Sequence, residues 1–290
     1  MKKNLFIISF FIFTSIMAQQ KSILLFPNGA PGETEQMIEK EELSGNKTGG
    51  CPVLRITNVS EPTLTFYPAP PDNNSGTTIV VNPGGGYNIL AYNLEGTEIC
   101  KRFNSFGINC VLVKYRVPRR EGLVKHAAPL QDLQRAIAYT RAHAKEWGID
   151  ANKIGVMGFS AGAHLSVMAS NSFHQLTYPP IDAYDKESTR PDFCMLIYPA
   201  YLDGENFTLA SDVKVTDKTP PTFLVQTEDD SNYINSSLFY YYALKEAGVP
   251  AAMHLYPSGG HGYGLRNTGD AVNEWPFRAI SWLRDLGMLD

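Results

Sequence analysis

The fold of this chain is decided by residues 154–164, which read IGVMGFSAGAH. The apolar first half predicts a buried strand, and the second half opens a helix. Gly158, Ser160 and Gly162 lie at their junction in the pattern GxSxG. Between a strand and a helix, this pattern predicts a sharp turn that raises the serine hydroxyl above the sheet and needs small residues on both sides. GxSxG also occurs by chance in glycine-rich sequence, but this context makes Ser160 the candidate nucleophile.

Apolar runs rich in β-branched residues alternate with helical patterns on both sides of this stretch. Such alternation predicts right-handed crossovers and a mainly parallel sheet, with functional residues at the carboxyl ends of the strands. Four runs are almost continuously apolar, as parallel strands buried on both faces should be. The predicted strands are residues 63–68, 77–82, 109–116, 153–159, 193–198, 222–226 and 251–256. The predicted helices, besides the one after Ser160, are residues 130–139, 238–246 and 275–286.

The composition is that of a globular protein. Of 290 residues, 43% are hydrophobic and 19% are charged, and the formal net charge is −4. This balance excludes disorder, which requires low hydrophobicity and high net charge, and it argues against a nucleic-acid partner, which would need a clustered basic face. We find no repeat and no linker, so residues 19–290 are predicted to form one domain. The glycine- and proline-rich residues 26–32 are expected to lie over it as an extended arm.

The N-terminus has the pattern of a secretory signal peptide. Lys2 and Lys3 precede a short apolar run, and Ala18 precedes two glutamines. A basic start, an apolar stretch and a small residue at the break are the parts of such a signal, and the run is too short to span a bilayer of about 30 Å. We therefore expect residues 1–18 to be removed, which leaves an exported, periplasmic or secreted protein with no membrane segment.

The chain contains Cys51, Cys100, Cys110 and Cys194. An exported compartment permits disulfides. Cys110 and Cys194 lie in apolar, strand-like runs, which favours free, buried thiols. Cys100–Cys110 is the least unfavourable pairing because the two residues are close in sequence. None of the four shows the spacing of a metal site, so no metal is predicted.

A nucleophilic serine needs a base held close to it, and His261 is the best candidate. Its loop, SGGHGYG, follows the last predicted strand directly, so His261 can reach a serine at the same edge of the sheet. The alternative is a loop histidine that faces solvent. His164 lies one helical turn beyond Ser160 and is expected to pack or to hydrogen-bond within its own helix. The remaining histidines have competing explanations: His126, His143, His174 and His254.

The acid is expected between Ser160 and His261 along the chain. The run TEDD, residues 227–230, follows a predicted strand and offers three carboxylates. Glu228 is expected to be solvated or to pack locally. A position a few residues past the strand end gives a carboxylate a path beneath the imidazole, which favours Asp230, while Asp229 remains open. The acid would fix the tautomer of the ring and stabilise the imidazolium.

Backbone donors are needed for the negative charge of a tetrahedral intermediate. The run VVNPGGGY, residues 80–87, leaves a buried strand into three glycines, which let the main chain approach a substrate oxygen closely. The amides of Gly85, Gly86 and Ala161 would form this oxyanion hole. A plain turn is the alternative, and a phosphate-binding loop is disfavoured because GxxxxGK[ST] is absent.

Together these motifs resemble those of the α/β-hydrolase superfamily, and within it those of bacterial exported esterases related to acetyl xylan esterases. The resemblance runs from Leu25 to the C-terminus and rests on NPGGGY, GFSAGAH and GGHGY. It implies an α/β fold of the α/β-hydrolase type, with a mainly parallel central sheet flanked by helices. It also implies a Ser-His-Asp hydrolase that needs no cofactor. The chain departs from the usual patterns in two places: Pro83 replaces the histidine of HGGG, as in the sugar-esterase branch, and QTEDD replaces HGxxD.

The resemblance further implies removal of acetyl or similar small acyl groups from plant or algal polysaccharides. The short insertion between residues 198 and 222 holds at most one small helix. We interpret it as a minimal cap, which suits a small acyl group and a bulky alcohol. Aromatic residues near the strand ends are candidates for stacking on sugars, although rim packing explains each at least as well: Tyr87, Tyr92, Tyr201 and Tyr263.

Three other functions remain open from the sequence. The first is a feruloyl or general short-chain carboxylesterase. The second is a prolyl-oligopeptidase-like peptidase, although such enzymes generally carry a propeller domain that this length does not accommodate. The third is a non-catalytic carbohydrate-binding relative. The sequence leaves the oligomeric state open.

Overall fold

The computed structural model of the protein describes residues 22–289. The predicted signal peptide, residues 1–18, lies outside this range. Among the described residues, no helix combines the length and the apolar character needed to cross a membrane.

Residues 22–289 form eleven strands in two sheets. The seven predicted strands are confirmed to within two residues, and four strands were not predicted. The strands are β1 (Ser22–Leu24), β2 (Lys40–Thr48), β3 (Cys51–Thr57), β4 (Thr63–Tyr67), β5 (Thr78–Asn82), β6 (Leu90–Ala91), β7 (Asn109–Lys114), β8 (Ile154–Phe159), β9 (Cys194–Ile197), β10 (Thr222–Thr227) and β11 (Ala251–Tyr256).

The large sheet has the strand order β1-β4-β7-β5-β8-β9-β10-β11. β1 and β4 pair antiparallel at one edge, and every pairing from β7 to β11 is parallel. The chain crosses from β5 to β7 on one side and then returns to β8 on the other side. The loops after β5 and β8 therefore leave neighbouring strands in opposite directions. In folds of this kind, ligands bind outside the carboxyl edge of the sheet at such a change of direction.

Helices cover both faces of the large sheet. Alternate residues of the central strands face opposite cores, as in β5, where Val80 lies in one core and Ile79 and Val81 in the other. Helices α2, α4 and α5 pack on the Val80 side, and α1 and α6 on the other. The helices are α1 (Glu98–Asn104), α2 (Ala127–Ala142), α3 (Ala144–Trp147), α4 (Ala161–Asn171), α5 (Ile234–Glu246) and α6 (Trp275–Asp285).

The small sheet, β2-β3-β6, was not predicted from the sequence. β2 is KEELSGNKT, and only one of its nine residues is buried. Without a buried face it has no alternation of apolar and polar residues, so nothing in its sequence marks it as a strand. The segment 26–32 also differs from the prediction, because it forms turns rather than an extended arm, and Phe26 and Ala30 are buried in the core.

Cys100 and Cys110 form a disulfide. The prediction of a free Cys110 thiol is therefore wrong, whereas Cys194 is free and buried as expected. The pairing follows from packing, because α1 lies against β7 and brings the two Cα atoms to 5.4 Å. The apolar run around Cys110 correctly predicts that the residue is buried. It does not show that the residue facing it from α1 is also a cysteine.

Candidate active site

Ser160 lies at the sharp turn between β8 and α4, as the GxSxG motif predicts. Its φ is 51°, an unusual value for a residue with a side chain. The two flanking glycines permit this turn. A Cβ on Gly158 would overlap the carbonyl oxygen of Gly162, and a Cβ on Gly162 would overlap that of Asn82. The strained turn presents the serine side chain at the carboxyl edge of the sheet.

The imidazole of His261 lies between Ser160 and Asp230. Its Nε2 is 2.8 Å from Oγ of Ser160, and its Nδ1 is 2.7 Å from Oδ2 of Asp230. The carboxylate is nearly fully buried, while the imidazole keeps 30% of its side-chain surface exposed. With Nδ1–H donated to the carboxylate, Nε2 is left as the acceptor for the serine hydroxyl. The structure thus brings together the three residues that the sequence singled out.

The two adjacent aspartates have different partners. Asp230 contacts the imidazole, whereas Asp229 is exposed and accepts hydrogen bonds from the backbone amides of Gly259 and Gly260, at 3.2 and 2.9 Å. These amides, the Gly260 amide first, hold the pKa of the Asp229 carboxyl below its usual value. Asp229 therefore fixes the loop that carries His261. Glu228 is exposed, as the sequence predicts.

The glycine loop after β5 passes directly over the serine turn. A Cβ on Gly84 would lie 2.9 Å from the Cβ of Ser160. Gly85 and Gly86 have φ values of 132° and 64°, which glycine adopts readily. Within residues 22–289, neither of their amides donates to a backbone acceptor. Ala161 is the first residue of α4, so its amide has no partner inside the helix. With respect to the described part of the chain, all three amides are free to bind a substrate oxygen.

Glu95 is a buried acid that the sequence analysis missed. Its Oε2 accepts the amide of Gly84 at 2.6 Å, and its Oε1 accepts the hydroxyl of Tyr198 at 2.8 Å. The same hydroxyl accepts the amide of Gly264 at 3.1 Å. Burial raises the pKa of Glu95, and its two hydrogen bonds oppose this rise. The ring of Tyr198 also packs edge-on against His261, with centroids 4.9 Å apart. Glu95 therefore links the glycine loop to the histidine loop.

His164 lies on the other side of the serine turn. It is fully buried, and its Nδ1 is 2.8 Å from the hydroxyl of Tyr87, the residue after the glycine loop. His164 is therefore packed in the interior, which is one of the two expected outcomes, and its side-chain hydrogen bond goes to a residue of a different loop. Burial, followed by the positive potentials of His126 and Lys125, lowers the pKa of His164 to about 3.

The four aromatic candidates for sugar stacking do not share one environment. Tyr87 and Tyr263 are buried, so neither can stack on a sugar. Tyr201 is partly exposed, and its hydroxyl would lie 3.5 Å from a Cβ on Gly86. It also packs edge-on against Tyr233, which contacts His261 in turn. Tyr92 is partly exposed and packs against both cores.

The insertion between β9 and β10 is short. Its only helical element in the described structure is a single 3-10 turn, Glu205–Phe207. This matches the minimal cap that the sequence predicts.

The chain is similar in sequence and fold to several known proteins. A family model described as BD-FAE matches residues 64–195. The acetylxylan esterase of Xylanibacter ruminicola is 31% identical over 223 residues, which cover 67% of this chain and 42% of that protein. An acetyl ester-xyloside bifunctional hydrolase from Caldicellulosiruptor lactoaceticus is 33% identical in its crystal structure, with a TM-score of 0.69. That match covers 79% of this chain and 90% of the other. The chain is an α/β-hydrolase.

Within the α/β-hydrolases, it belongs with the esterases related to acetylxylan esterases. A further solved relative, the α/β-hydrolase MGS-M1 from a Medee basin deep-sea metagenome library, is 27% identical with a TM-score of 0.62. That match covers 87% of this chain and 98% of MGS-M1. In contrast, this α/β-hydrolase spans less than half the length of the acetylxylan esterase that it matches.

Proposed function

We propose that this α/β-hydrolase is a serine carboxylic ester hydrolase that removes acetyl or other small acyl groups from polysaccharides such as xylan. The observation that carries the proposal is the position of His261, whose two ring nitrogens bridge Ser160 and Asp230 at 2.8 and 2.7 Å. A serine, an imidazole and a buried carboxylate in this order are the parts of an acyl-transfer triad.

The reaction follows from these contacts. Oγ of Ser160 attacks the ester carbonyl as its proton passes to Nε2 of His261, and Asp230 stabilises the resulting imidazolium. The amides of Gly85, Gly86 and Ala161 stabilise the oxyanion of the tetrahedral intermediate. The imidazolium then protonates the leaving sugar hydroxyl, which leaves an acyl-serine. Water, deprotonated by His261, attacks this ester and releases the acid and the free serine.

Two observations support a small acyl group on a carbohydrate. Proteins named acetylxylan esterase and acetyl ester-xyloside hydrolase are 31% and 33% identical to this chain. The insertion between β9 and β10 carries a single 3-10 turn, so it provides little protein to enclose a long acyl chain.

The test is release of acetate from acetylated xylan by the wild-type protein and by Ser160→Ala. The wild type should release acetate, and the variant should not. Equal release by both proteins would end the proposal. A fluorophosphonate probe separates catalysis from mere binding, because it should label the wild type at Ser160, whereas a non-catalytic carbohydrate-binding protein would give no adduct.

A general short-chain carboxylesterase is the second candidate, and solved relatives named carboxylesterase have the same fold. p-Nitrophenyl acetate, butyrate and octanoate, together with methyl ferulate, separate the alternatives. The proposed enzyme should prefer acetate among the nitrophenyl esters and should be faster still on acetylated xylan. A preference for methyl ferulate would instead assign a feruloyl esterase.

We also propose that the protein is exported after removal of residues 1–18. This rests on the basic and apolar N-terminal pattern ending at Ala18. The intact mass of the protein recovered from the periplasm or the medium should correspond to a chain that begins at Gln19. A full-length chain retained in the cytoplasm would contradict export without affecting the esterase proposal.

A further inference from the structure

Three polar side chains meet beside the serine turn but take no part in the proposed reaction. One ring nitrogen each of His126 and His164 and one carboxylate oxygen of Asp212 lie within 4.8 Å of one another. The two histidines are buried and Asp212 is exposed. They come from three separate segments: the residue before α2, the helix α4, and the insertion between β9 and β10.

The two histidines have ring nitrogens that lack partners. Among residues 22–289, Nδ1 of His126 and Nε2 of His164 are buried without any hydrogen bond. Such atoms are costly to bury unless something binds them. The other nitrogen of His164, Nδ1, is already 2.8 Å from the hydroxyl of Tyr87. If Nδ1–H donates to this hydroxyl, Nε2 carries a free lone pair. Metal-bound histidines have this arrangement, in which the second ring nitrogen is held by an outer partner.

We propose that His126, His164 and Asp212 bind a divalent transition metal of the zinc class. Two imidazole nitrogens and one carboxylate oxygen are a ligand set that Zn²⁺ accepts, with water as the fourth ligand. A tetrahedral Zn²⁺ holds its ligand atoms about 3.3 Å apart. The three ligand atoms, which lie within 4.8 Å of one another, would therefore come closer together on metal binding. We expect Asp212 to move because it lies on an irregular, exposed segment.

A metal bound by these three residues would link the insertion between β9 and β10 to helix α4. The metal joins the insertion, through Asp212, to the helix that begins at Ser160, through His164. The insertion also carries Tyr201, whose ring packs edge-on against His164 at 6.0 Å. The metal therefore fixes the small cap against the serine turn. This inference does not depend on the proposed esterase activity, because the cluster is separate from the contacts of His261.

Lys125 is the main charge that opposes a metal here. Its ammonium lies 4.1 Å from the centre of the Tyr201 ring, and its charge adds to burial, the larger cause, in lowering the pKa of both histidines. Lys125→Gln should therefore tighten Zn²⁺ binding, because it removes a positive charge near the ligands. If the cluster instead bound an anion, Zn²⁺ would bind no more tightly to Lys125→Gln than to the wild type, or would not bind to either protein. Either result would contradict the proposal.

The experiment measures Zn²⁺ binding to the full, untagged protein after removal of metal with EDTA. Cys51 is an exposed free thiol that could bind zinc by itself, so every protein carries Cys51→Ser. Competition with a chromophoric chelator should give one Zn²⁺ per chain. Asp212→Asn should weaken binding by at least about tenfold, since loss of a mere outer partner already costs 10- to 100-fold. Asp217→Asn, an exposed aspartate of the same insertion, is the matched control and should change nothing.

A second pair of variants tests the histidines. His126→Gln should lose Zn²⁺ affinity to the same extent as Asp212→Asn, whereas His174→Gln, at an exposed histidine, should not. Because Asp212 is exposed, Asp212→Asn should fold even if a variant at a buried histidine does not. With Co²⁺, the wild type should develop the visible absorption of a four-coordinate site, and Asp212→Asn should lose it. Absence of Zn²⁺ binding, or equal binding by Asp212→Asn and its control, overturns the proposal.

Discussion

Ser160 lies between two histidines in opposite environments. His261 is partly exposed, and each of its ring nitrogens has a partner. His164 is fully buried, and within residues 22–289 one of its nitrogens has none. His164 is four residues from the serine and His261 is 101 residues away, yet it is the distant one that contacts Oγ. Proximity in sequence therefore does not identify the base. His261 is identified by the carboxylate that holds one of its ring nitrogens and by the exposure of the imidazole.

Removing each imidazole in turn is the most direct test of the difference between the two histidines. His261→Ala should lower kcat for p-nitrophenyl acetate by about 10⁴-fold or more, because the serine loses its proton acceptor. His164→Gln should stay within about tenfold of the wild type, because His164 does not contact Oγ. An equally large loss in a folded His164→Gln protein would show that the two histidines are not functionally distinct.

The two aspartates extend the comparison to the acid. Asp230→Asn should lower kcat by about 10⁴-fold, because an amide cannot hold the imidazole in the required tautomer. Asp229→Asn should cost about tenfold, because it weakens only the hydrogen bonds to the histidine loop. Steady-state kinetics with one ester measures both, and a larger loss for Asp229→Asn would reverse the assignment of the acid.

Glu95 offers a smaller and more specific effect. Glu95→Gln should lower kcat by about tenfold with little change in KM, because the amide cannot accept hydrogen bonds from both Gly84 and Tyr198. The control is Glu98→Gln, at a carboxylate that pairs with Arg266 away from the serine. Unchanged kcat in Glu95→Gln, or the same loss in both variants, would leave Glu95 without a positioning role.

Acid should affect stability through His164. Burial lowers its pKa from 6.5 to about 3. Between pH 6.5 and about pH 3, His164 is protonated in the unfolded chain but stays neutral in the folded protein. The group's contribution is therefore fully present above pH 6.5 and is lost as the pH falls toward 3. The slope is about 1.4 kcal/mol per pH unit at most.

Urea unfolding across this window, in EDTA so that no metal intervenes, measures the slope. His164→Gln should have a shallower loss of unfolding free energy with acid than the wild type. Parallel curves for the two proteins would contradict the burial of a neutral imidazole at this position.

Local signals in the sequence were sufficient for the parallel sheet and for the serine turn. β5, β7 and β8 are apolar on both faces, and Gly158 and Gly162 mark the turn because no larger residue fits. The position of His261 after the last strand and the glycines after β5 follow from the same logic. In each case, the feature depends on residues that are adjacent in the chain.

The features that the sequence did not reveal depend on contacts between distant segments. Nothing in the sequence around Glu95 distinguishes it from other glutamates, because its partners Gly84 and Tyr198 reach it only in the folded protein. His126 and His164 are 38 positions apart by their numbers, and neither has the spacing of a metal motif. β2 is polar on both faces, so only its pairing with β3 makes it a strand.

The residues of the proposed triad are carried by loops that follow different strands of the large sheet. The serine turn follows a central strand, whereas the imidazole is carried by the loop after β11, the outermost strand. A nascent or truncated polypeptide that stops short of β11 has its nucleophile but nothing to deprotonate it. In the proposed triad, turnover requires β11 to be paired in the sheet, so the return of turnover after denaturation measures when the loop after β11 reaches Ser160.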